Sequence, residues 1–591
     1  MILQTQEDVQ VLSQALQTYQ RAASAKVNWE KCSSLLIGDW QDSTPPVLPQ
    51  RCAWNLEGFK FLGVYLGTVG YMSKNWEGME EKITGRLQRW RWIFPQLSYR
   101  GRVLVVNNLA ASMLWHKAFV LDPPVSLLCS LQKAFVNLFW DGCHWLAPGV
   151  LCLPVAEGGQ GLIHLASKVA SMRLQTAQCL LYAPDSVLWV SFARSVMHGI
   201  GAFSLDRHFF LMANIQWIQG FHLPFFFKSV LEAWNILTVS RTPDQNYGTE
   251  EPLFFNPLMP TQERVGDSLI SAFMGAGITK LGDLLDHENG RWKLALEVSA
   301  QTGLRSLRLV ADLLGRLRVS FPNSLRAAAN SAVAGTPEQV AFPELRISPR
   351  CASRGGGHLL TFNALTDLSL ASVDRKSLYN ICCKSLFFNQ LVSRPDTKWR
   401  EHGQFPPDFS PTWRLLYKPP ISKRVGDLQW RVLHLAIPTN RFVSRFNHEV
   451  MPTCPFCPAP DTVFHFFTEC SRLLPLFSLL QTLLGKLGFL FNHNQFVSSV
   501  RYTNGRKGGC TLANFLFGQA KLAIYKTHKT EMEEGNGKDL VGVFKTMVRT
   551  RVAADFAYLK MTDELLFFNQ RWCIGGAICS VDSTDGISFR F

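Results

Sequence analysis

The stretch Cys454-Pro-Phe-Cys457-Pro-Ala-Pro-Asp-Thr-Val-Phe-His465-Phe-Phe-Thr-Glu-Cys470 decides how the C-terminal part of the chain is read. Its spacing, C-x2-C-x7-H-x4-C, puts three thiols and one imidazole within seventeen residues. Zinc takes four such ligands in a tetrahedron, from Cys thiolates and His nitrogens. A C-x2-C pair fits one tight turn that aims two sulfurs at one ion. The segment 461–468 then returns His465, and Cys470 closes the set one helical turn later. With all four positions filled by protein the site is expected to be structural, because a catalytic zinc keeps one position open. The competing reading is three unrelated buried thiols and a core histidine. Cysteines this close in a reduced protein favour the metal. Val463, Phe464, Phe466 and Phe467 suit a small module packed around its ion, and His448 is the alternative ligand.

Working outward, the 591 residues are enough for roughly three or four domains. Apolar residues make up 47% and aromatics 12%, enough for large cores. Lys and Arg exceed Asp and Glu by fifteen, which points to an anionic partner, most simply RNA or DNA. No stretch of about twenty residues is free of charge and strong polarity, so no membrane span is expected. The first residues, Met1-Ile-Leu-Gln-Thr-Gln-Glu-Asp, carry no basic start and no long apolar run, and no secretory signal is expected. Fifteen cysteines, mostly scattered, fit an intracellular, reducing setting, with cytoplasm and nucleus equally open.

In chain order, Glu7–Ala23 has the apolar spacing of a helix at Val9, Leu12, Leu16 and Tyr19. Short strand patterns follow over 24–67, interrupted by a Pro-rich loop. From Asn75 a longer helix lines up Trp76, Met79, Ile83, Leu87, Trp90 and Phe94. Lys82, Arg86 and Arg89 share another face, and Arg100 and Arg102 continue the basic run beside Trp92 and Tyr99. A solvated face explains these residues as well as a phosphate-contacting one. Residues 163–319 read as a helical middle region and 320–375, rich in Ala, Ser, Pro and Gly, as a linker. The region 376–480 holds Asp427-Leu-Gln-Trp-Arg431 and the zinc motif, and 481–591 is a basic helical tail in which Lys521 to Arg551, with Arg431, form a second candidate nucleic-acid surface. The expected fold is mainly α, with a small β portion near the N-terminus and a small zinc-binding module near the C-terminus.

Other chemistry is weak. Glu157-Gly-Gly-Gln-Gly-Leu162 lacks the Lys-Ser/Thr that a phosphate loop needs. Glu7-Asp8 sits at a helix start, where acids suit the dipole. Glu80-Glu81 has no visible second partner, and His116, His144 and His164 lack a nucleophile setting.

Together these pieces resemble the C-terminal half of the reverse transcriptase of LINE-type, non-LTR retrotransposons. Ser24-Ala-Lys-Val-Asn-Trp-Glu-Lys31 looks like the palm segment after the catalytic strand, Phe61-Leu-Gly-Val-Tyr-Leu-Gly67 like the primer grip, and Leu97-Ser-Tyr-Arg-Gly-Arg102 like part of the thumb. Asp427-Leu-Gln-Trp-Arg431, Pro438-Thr439 and the four ligands resemble the zinc-binding region. The resemblance implies a partial palm over 1–70, a thumb-like part over 71–162, and binding of RNA or DNA with low sequence specificity. It also implies what is missing. The family's metal-binding Asp-Asp turn would precede Glu7, and no Asp-Asp pair occurs in the chain. The expectation is therefore a truncated reverse transcriptase that binds zinc and nucleic acid, holds no catalytic magnesium and is not itself an enzyme. Part of an active RNA-directed DNA polymerase from a longer element, or a non-functional relic, are the alternatives. The oligomeric state is left open.

Overall fold

The computed structural model describes residues 3–38, 40, 44–199, 204–212, 223–241, 248–256, 267–286, 288–321, 323–333, 342–350, 367–392, 398–402, 411–502, 505–534, 539–582 and 586–591. The chain is mainly helical, with short sheets and a Cys/His cluster near its C-terminus, as expected. It divides into two compact units, one of residues 1–91 and 108–134, the other of 92–107 and 135–591.

In the first unit the helix Gln6–Ala23 starts on a reciprocal cap. Thr5 Oγ1 accepts from the Asp8 amide at 3.2 Å, and the Asp8 carboxylate accepts from the Thr5 amide at 2.8 Å. Asp8 is thereby committed to the helix start. Ser34–Leu35 pairs in parallel with Trp54–Asn55, and Gly58–Phe61 runs antiparallel to Val64–Gly67. Gly67 sits at φ 151°, where a Cβ would lie 2.1 Å from the Glu57 carbonyl, so the open end of the hairpin, where Gly67 pairs with Gly58, admits no side chain there. The helix Met79–Trp90 buries Met79, Ile83 and Leu87. It is shorter than its apolar periodicity suggests. Gly78, left-handed at φ 62°, starts it, Pro95 lies in the 3-10 turn that follows, and Trp90 is left 40% exposed. Glu80 accepts a hydrogen bond from Ser130 Oγ, which gives that acid a structural partner. Asp39 and Asp42, the acids of the Pro-rich loop, lie outside the described residues.

The second unit has two adjoining cores. Leu165–Tyr182, Leu188–His198, Phe225–Trp234 and Arg375–Leu386 pack around a three-stranded antiparallel sheet. In that sheet Leu345–Pro349 lies between Leu237–Arg241 and Leu368–Ser369. The second core gathers Phe254, Phe273, Leu281, Val310, Leu314 and Leu325. This corrects the expected linker over 320–375. Asn323–Val333 is a helix, and Leu345–Pro349 is the central strand with Ile347 fully buried. Alternate burial along Leu-Arg-Ile-Ser-Pro is strand periodicity, which the surrounding Ala, Ser and Gly obscured. The residues 334–341 and 351–366 lie outside the described set. Downstream, Lys423–Leu433, Leu474–Lys486, Lys507–Glu534, Leu540–Met561 and Leu565–Trp572 are helices, and a hairpin of Cys579–Val581 and Ile587–Phe589 follows.

One helical run, Tyr99–Val120, is long and apolar enough to cross a membrane by length and composition, against the expectation of none. Its buried residues Val103, Val106, Ala110, Leu114 and Ala118 recur every three or four positions, the pattern of a helix packed on protein along one side.

Lys521 is also corrected. Assigned to a phosphate-contacting surface by its sequence, it is fully buried, with Nζ donating to Gln429 Oε1 and the Val497 carbonyl, both at 3.1 Å. Both partners are neutral, and burial pulls its pKa down from 10.5 to about 7. The unfolded chain then holds a proton that the folded chain lacks between about pH 7 and 10.5, so stability rises with pH across that window. We predict that urea unfolding of the wild type shows this rise, at up to about 1.4 kcal/mol per pH unit, and that Lys521→Met abolishes it. An unchanged slope in Lys521→Met contradicts this account of the lysine.

Candidate metal centre

The metal-binding geometry is built by a turn and a widened helix. The Cys454 amide donates to the Ala459 carbonyl at 2.8 Å, and Thr453 forms a bridge with Pro460, which closes the knuckle carrying Cys454 and Cys457. Thr462 Oγ1 then accepts from the His465 amide at 3.0 Å and starts the next turn. His465–Glu469 is a π-turn, closed by the Cys470 amide on the His465 carbonyl at 3.0 Å. In an α-helix, residues five apart point about 140° away from each other. The wider turn brings His465 and Cys470 back toward one direction.

As a result the ligand atoms of Cys454, Cys457, His465 and Cys470 all lie within 4.8 Å of one another. Cys454 Sγ and Cys470 Sγ are 4.0 Å apart, and Cys457 Sγ is 3.1 Å from His465 Nε2. Tetrahedral zinc with Zn–S of about 2.3 Å and Zn–N of about 2.0 Å sets neighbouring ligands roughly 3.5–3.8 Å apart. The donor set and its spacing therefore fit zinc. Cys454, His465 and Cys470 are buried and Cys457 is half-buried. The hydrogen bond between the thiols of Cys454 and Cys470 lowers the pKa of Cys470 and raises that of Cys454. His448 is exposed and stands outside the cluster.

Sequence reasoning missed the groups that hold this site. Asp461, fully buried, accepts from the Asn440 amide at 2.6 Å and from His528 Nε2 at 3.2 Å. His528 stacks on Phe466, with centroids 4.0 Å apart, and Arg472 stacks on Phe456 while donating to the Ile524 carbonyl and Thr527 Oγ1. The module is thus packed onto the helix Lys507–Glu534. Asp461 was readable beside the cysteines. His528 lies far downstream, in a helix with no metal-like spacing.

The nucleic-acid candidates divide. Lys82, Arg86 and Arg89 are exposed on the helix Met79–Trp90, although Arg86 also donates to the Leu109 carbonyl at 3.1 Å. The others face inward, within the second unit. Arg102 donates to the Phe94 and Phe139 carbonyls at 3.2 and 2.7 Å. Arg100 stacks on Tyr417, with its guanidinium 3.7 Å from the ring centroid. Arg431 donates to the Ala436 carbonyl at 2.8 Å and lies over Trp145. These guanidinium groups serve the fold.

The rest of the Asp427–Arg431 motif also works inward. The Asp427 carboxylate accepts from the Tyr99 amide at 3.0 Å and from the Tyr417 hydroxyl at 2.9 Å, and burial pushes its pKa up to about 6. Trp430 Nε1 and His434 Nε2 both lie 2.8 Å from the Gly158 carbonyl oxygen, which makes Nε2 the protonated nitrogen of His434. Gln160 Nε2 donates to the Tyr417 hydroxyl at 3.0 Å.

We predict one zinc ion per chain by elemental analysis, lost in a strong chelator together with the amide protection of residues 452–470. Structural zinc contributes about 10–16 kcal/mol in small peptides, so Cys457→Ser should reproduce the chelated state locally. A chain that purifies without zinc, with Cys457→Ser indistinguishable from wild type, contradicts the assignment.

Comparison with known proteins agrees with this geometry. Residues 397–474 match the family described as zinc-binding in reverse transcriptase. Over its whole length the chain is 31% identical to the Transposon TX1 uncharacterized 149 kDa protein of Xenopus laevis. It spans about half of that relative, 46% of its length. Residues 397–474 are thus similar to a reverse transcriptase zinc-binding region, and the chain as a whole is similar to part of a transposon protein.

Proposed function

We propose that the chain acts as a nucleic-acid-holding C-terminal part of a LINE-type, non-LTR reverse transcriptase, and that nucleotidyl transfer is not an activity of these residues. The observation that carries the reading is the cationic face of the first unit. Lys82, Arg86 and Arg89 project from one helix with no carboxylate partner among the described residues. The Lys117 pKa is lowered first by burial and then by the charges of Lys82 and Lys60, so these ammonium groups are close enough to repel one another. Lys60 and Lys117 also lie over the Tyr65 ring. A cluster of like charges around an aromatic ring is relieved by a phosphate backbone, which positions a protein without having its sequence read.

Two further points support the reading. The zinc would have four protein ligands and no open position, which suits a structural ion. In each of the acid pairs Glu7-Asp8 and Glu80-Glu81 one member has a structural partner, Asp8 in a helix cap and Glu80 on Ser130. Magnesium-dependent nucleotidyl transfer needs carboxylates converging with phosphate oxygens, and no Asp-Asp pair occurs in the sequence. The alternative, a part of an active polymerase, is favoured by the full-length match to about half of a longer transposon protein.

Binding to an RNA–DNA hybrid or DNA duplex should weaken steeply with salt. Replacing Lys82, Arg86 and Arg89 by Gln should flatten the slope of log affinity against log salt by about 0.9 for each phosphate that is no longer neutralised, for every sequence alike. Arg102→Gln should instead lower stability and leave the slope unchanged. Equal slopes in the triple variant and wild type reject the surface. A primer-extension assay with an RNA template and Mg²⁺ should give no product, and product abolished by changing a carboxylate of this chain rejects the non-catalytic reading.

A further inference from the structure

Beside the zinc module, a short helical segment carries two parallel columns of side chains. The helix Asn440–Val443 starts on Thr439, whose Oγ1 accepts from the Phe442 amide at 3.3 Å. It continues as a turn through Phe446, whose amide donates to the Val443 carbonyl at 2.9 Å. Residues four apart share a helix face, so Phe442 and Phe446 form one column and Arg441 and Arg445 the next. The Phe442 and Phe446 rings meet edge to face, 5.2 Å apart at an interplanar angle of 64°, and Phe442 lies 5.2 Å from Trp145 at 36°. Arg431 covers Trp145 with its guanidinium 5.0 Å from the ring centroid. The result is a ladder of Arg431, Trp145, Phe442 and Phe446.

The ladder ends in the open. Phe446 is 73% exposed, and an exposed phenylalanine does nothing for a core. Arg441 and Arg445 are exposed beside it with no carboxylate partner among the described residues. The nearest acid in sequence is Glu449. The segment is held rigidly from below. The Asn440 amide donates to Asp461 at 2.6 Å and Asn440 Nδ2 donates to the Thr453 carbonyl at 2.9 Å, next to the ligand Cys454. An apolar protein partner would leave the two guanidinium groups to be desolvated without counter-charge, whereas a polyanion with flat apolar faces suits both columns. Nucleic acid that is unpaired offers that combination, because its bases are free to stack and its phosphates run alongside. In a duplex the base faces are already covered.

We propose that Trp145, Phe442 and Phe446, flanked by Arg441 and Arg445, form a stacking platform for single-stranded nucleic acid. It rests on the reading that the chain binds nucleic acid, and it is separate from the basic face of the first unit. A terminal or unpaired base stacks on Phe446 and extends the ladder, and the two arginines contact the phosphates on either side. Because every base has a π-face, the platform is tolerant of sequence.

The test measures binding of fluorescent oligodeoxythymidine and oligouridine to the zinc-loaded full chain at low salt. Phe446→Ala and Phe446→Leu should each weaken binding by about tenfold and Phe446→Tyr should not, since stacking needs a ring and not merely an apolar group. Arg441→Gln and Arg445→Gln should each flatten the salt slope by about 0.7. Thermal melting of the Phe446 variants should match wild type, because the side chain is exposed. The proposal is overturned if Phe446→Leu binds single strands as wild type does while duplex binding through the first unit persists. Loss of binding to every nucleic acid by the wild-type chain overturns the broader reading and the platform together.

Discussion

In the second unit the helix Lys423–Leu433 is placed by one carbonyl oxygen, that of Gly158. Trp430 and His434 both donate to it from the helix Lys423–Leu433 and its end, at 2.8 Å each. A buried acceptor left without its donors costs about 1–3 kcal/mol, so this oxygen fixes where the helix can sit. The Gly-rich stretch around it provides the approach. At Gly159 a Cβ would fall 1.9 Å from the Leu153 carbonyl, which forbids any side chain in this return. On the same helix Asp427 holds the Tyr99 amide and Tyr417, and Tyr417 in turn holds Gln160. Three stretches far apart in sequence, at 99, 158–160 and 417–434, meet at this seam. Around the hydrogen bonds, Tyr99 meets Trp430 edge to face, Trp140 lies tilted against Trp430, and Trp413 stacks on His434.

The zinc module continues from that seam. The helix carrying Asp427 and Trp430 leads into Pro438-Thr439 and the helix Asn440–Val443, which Asp461 and Thr453 tie to the cysteine knuckle. Asp461 also reaches His528 on the long helix Lys507–Glu534. A structural ion at Cys454, Cys457, His465 and Cys470 would therefore order the exposed segment 440–446 as well as its own loop. Side chains that face inward set the frame, and the exposed cations and rings are left to meet other molecules.

Much of this was legible in the sequence, and the division follows from distance along the chain. The four ligands are local, so spacing alone grouped them, although the π-turn that makes His465 and Cys470 converge has no sequence signature of its own. Lys82, Arg86 and Arg89 are spaced for one helix face and occupy it. Arg100, Arg102 and Arg431 look the same on paper. Their partners are a ring and carbonyls set by tertiary packing, such as Phe139, thirty-seven residues beyond Arg102. Lys521 reads as a charged helix residue, and only its neighbours Gln429 and Val497 show it to be interior. The strand Leu345–Pro349 was hidden by composition, because its pairing partners at 237–241 and 368–369 are not adjacent to it.

The Asp427–Arg431 motif works as an internal clamp on Gly158, and urea unfolding of Trp430→Phe against wild type tests that role. The substitution keeps an aromatic ring but removes the Nε1–H that reaches the Gly158 carbonyl. With His434 still donating to that oxygen, the missing hydrogen bond should lower the unfolding free energy by about 0.5–1.5 kcal/mol. Wild-type stability in Trp430→Phe would contradict it.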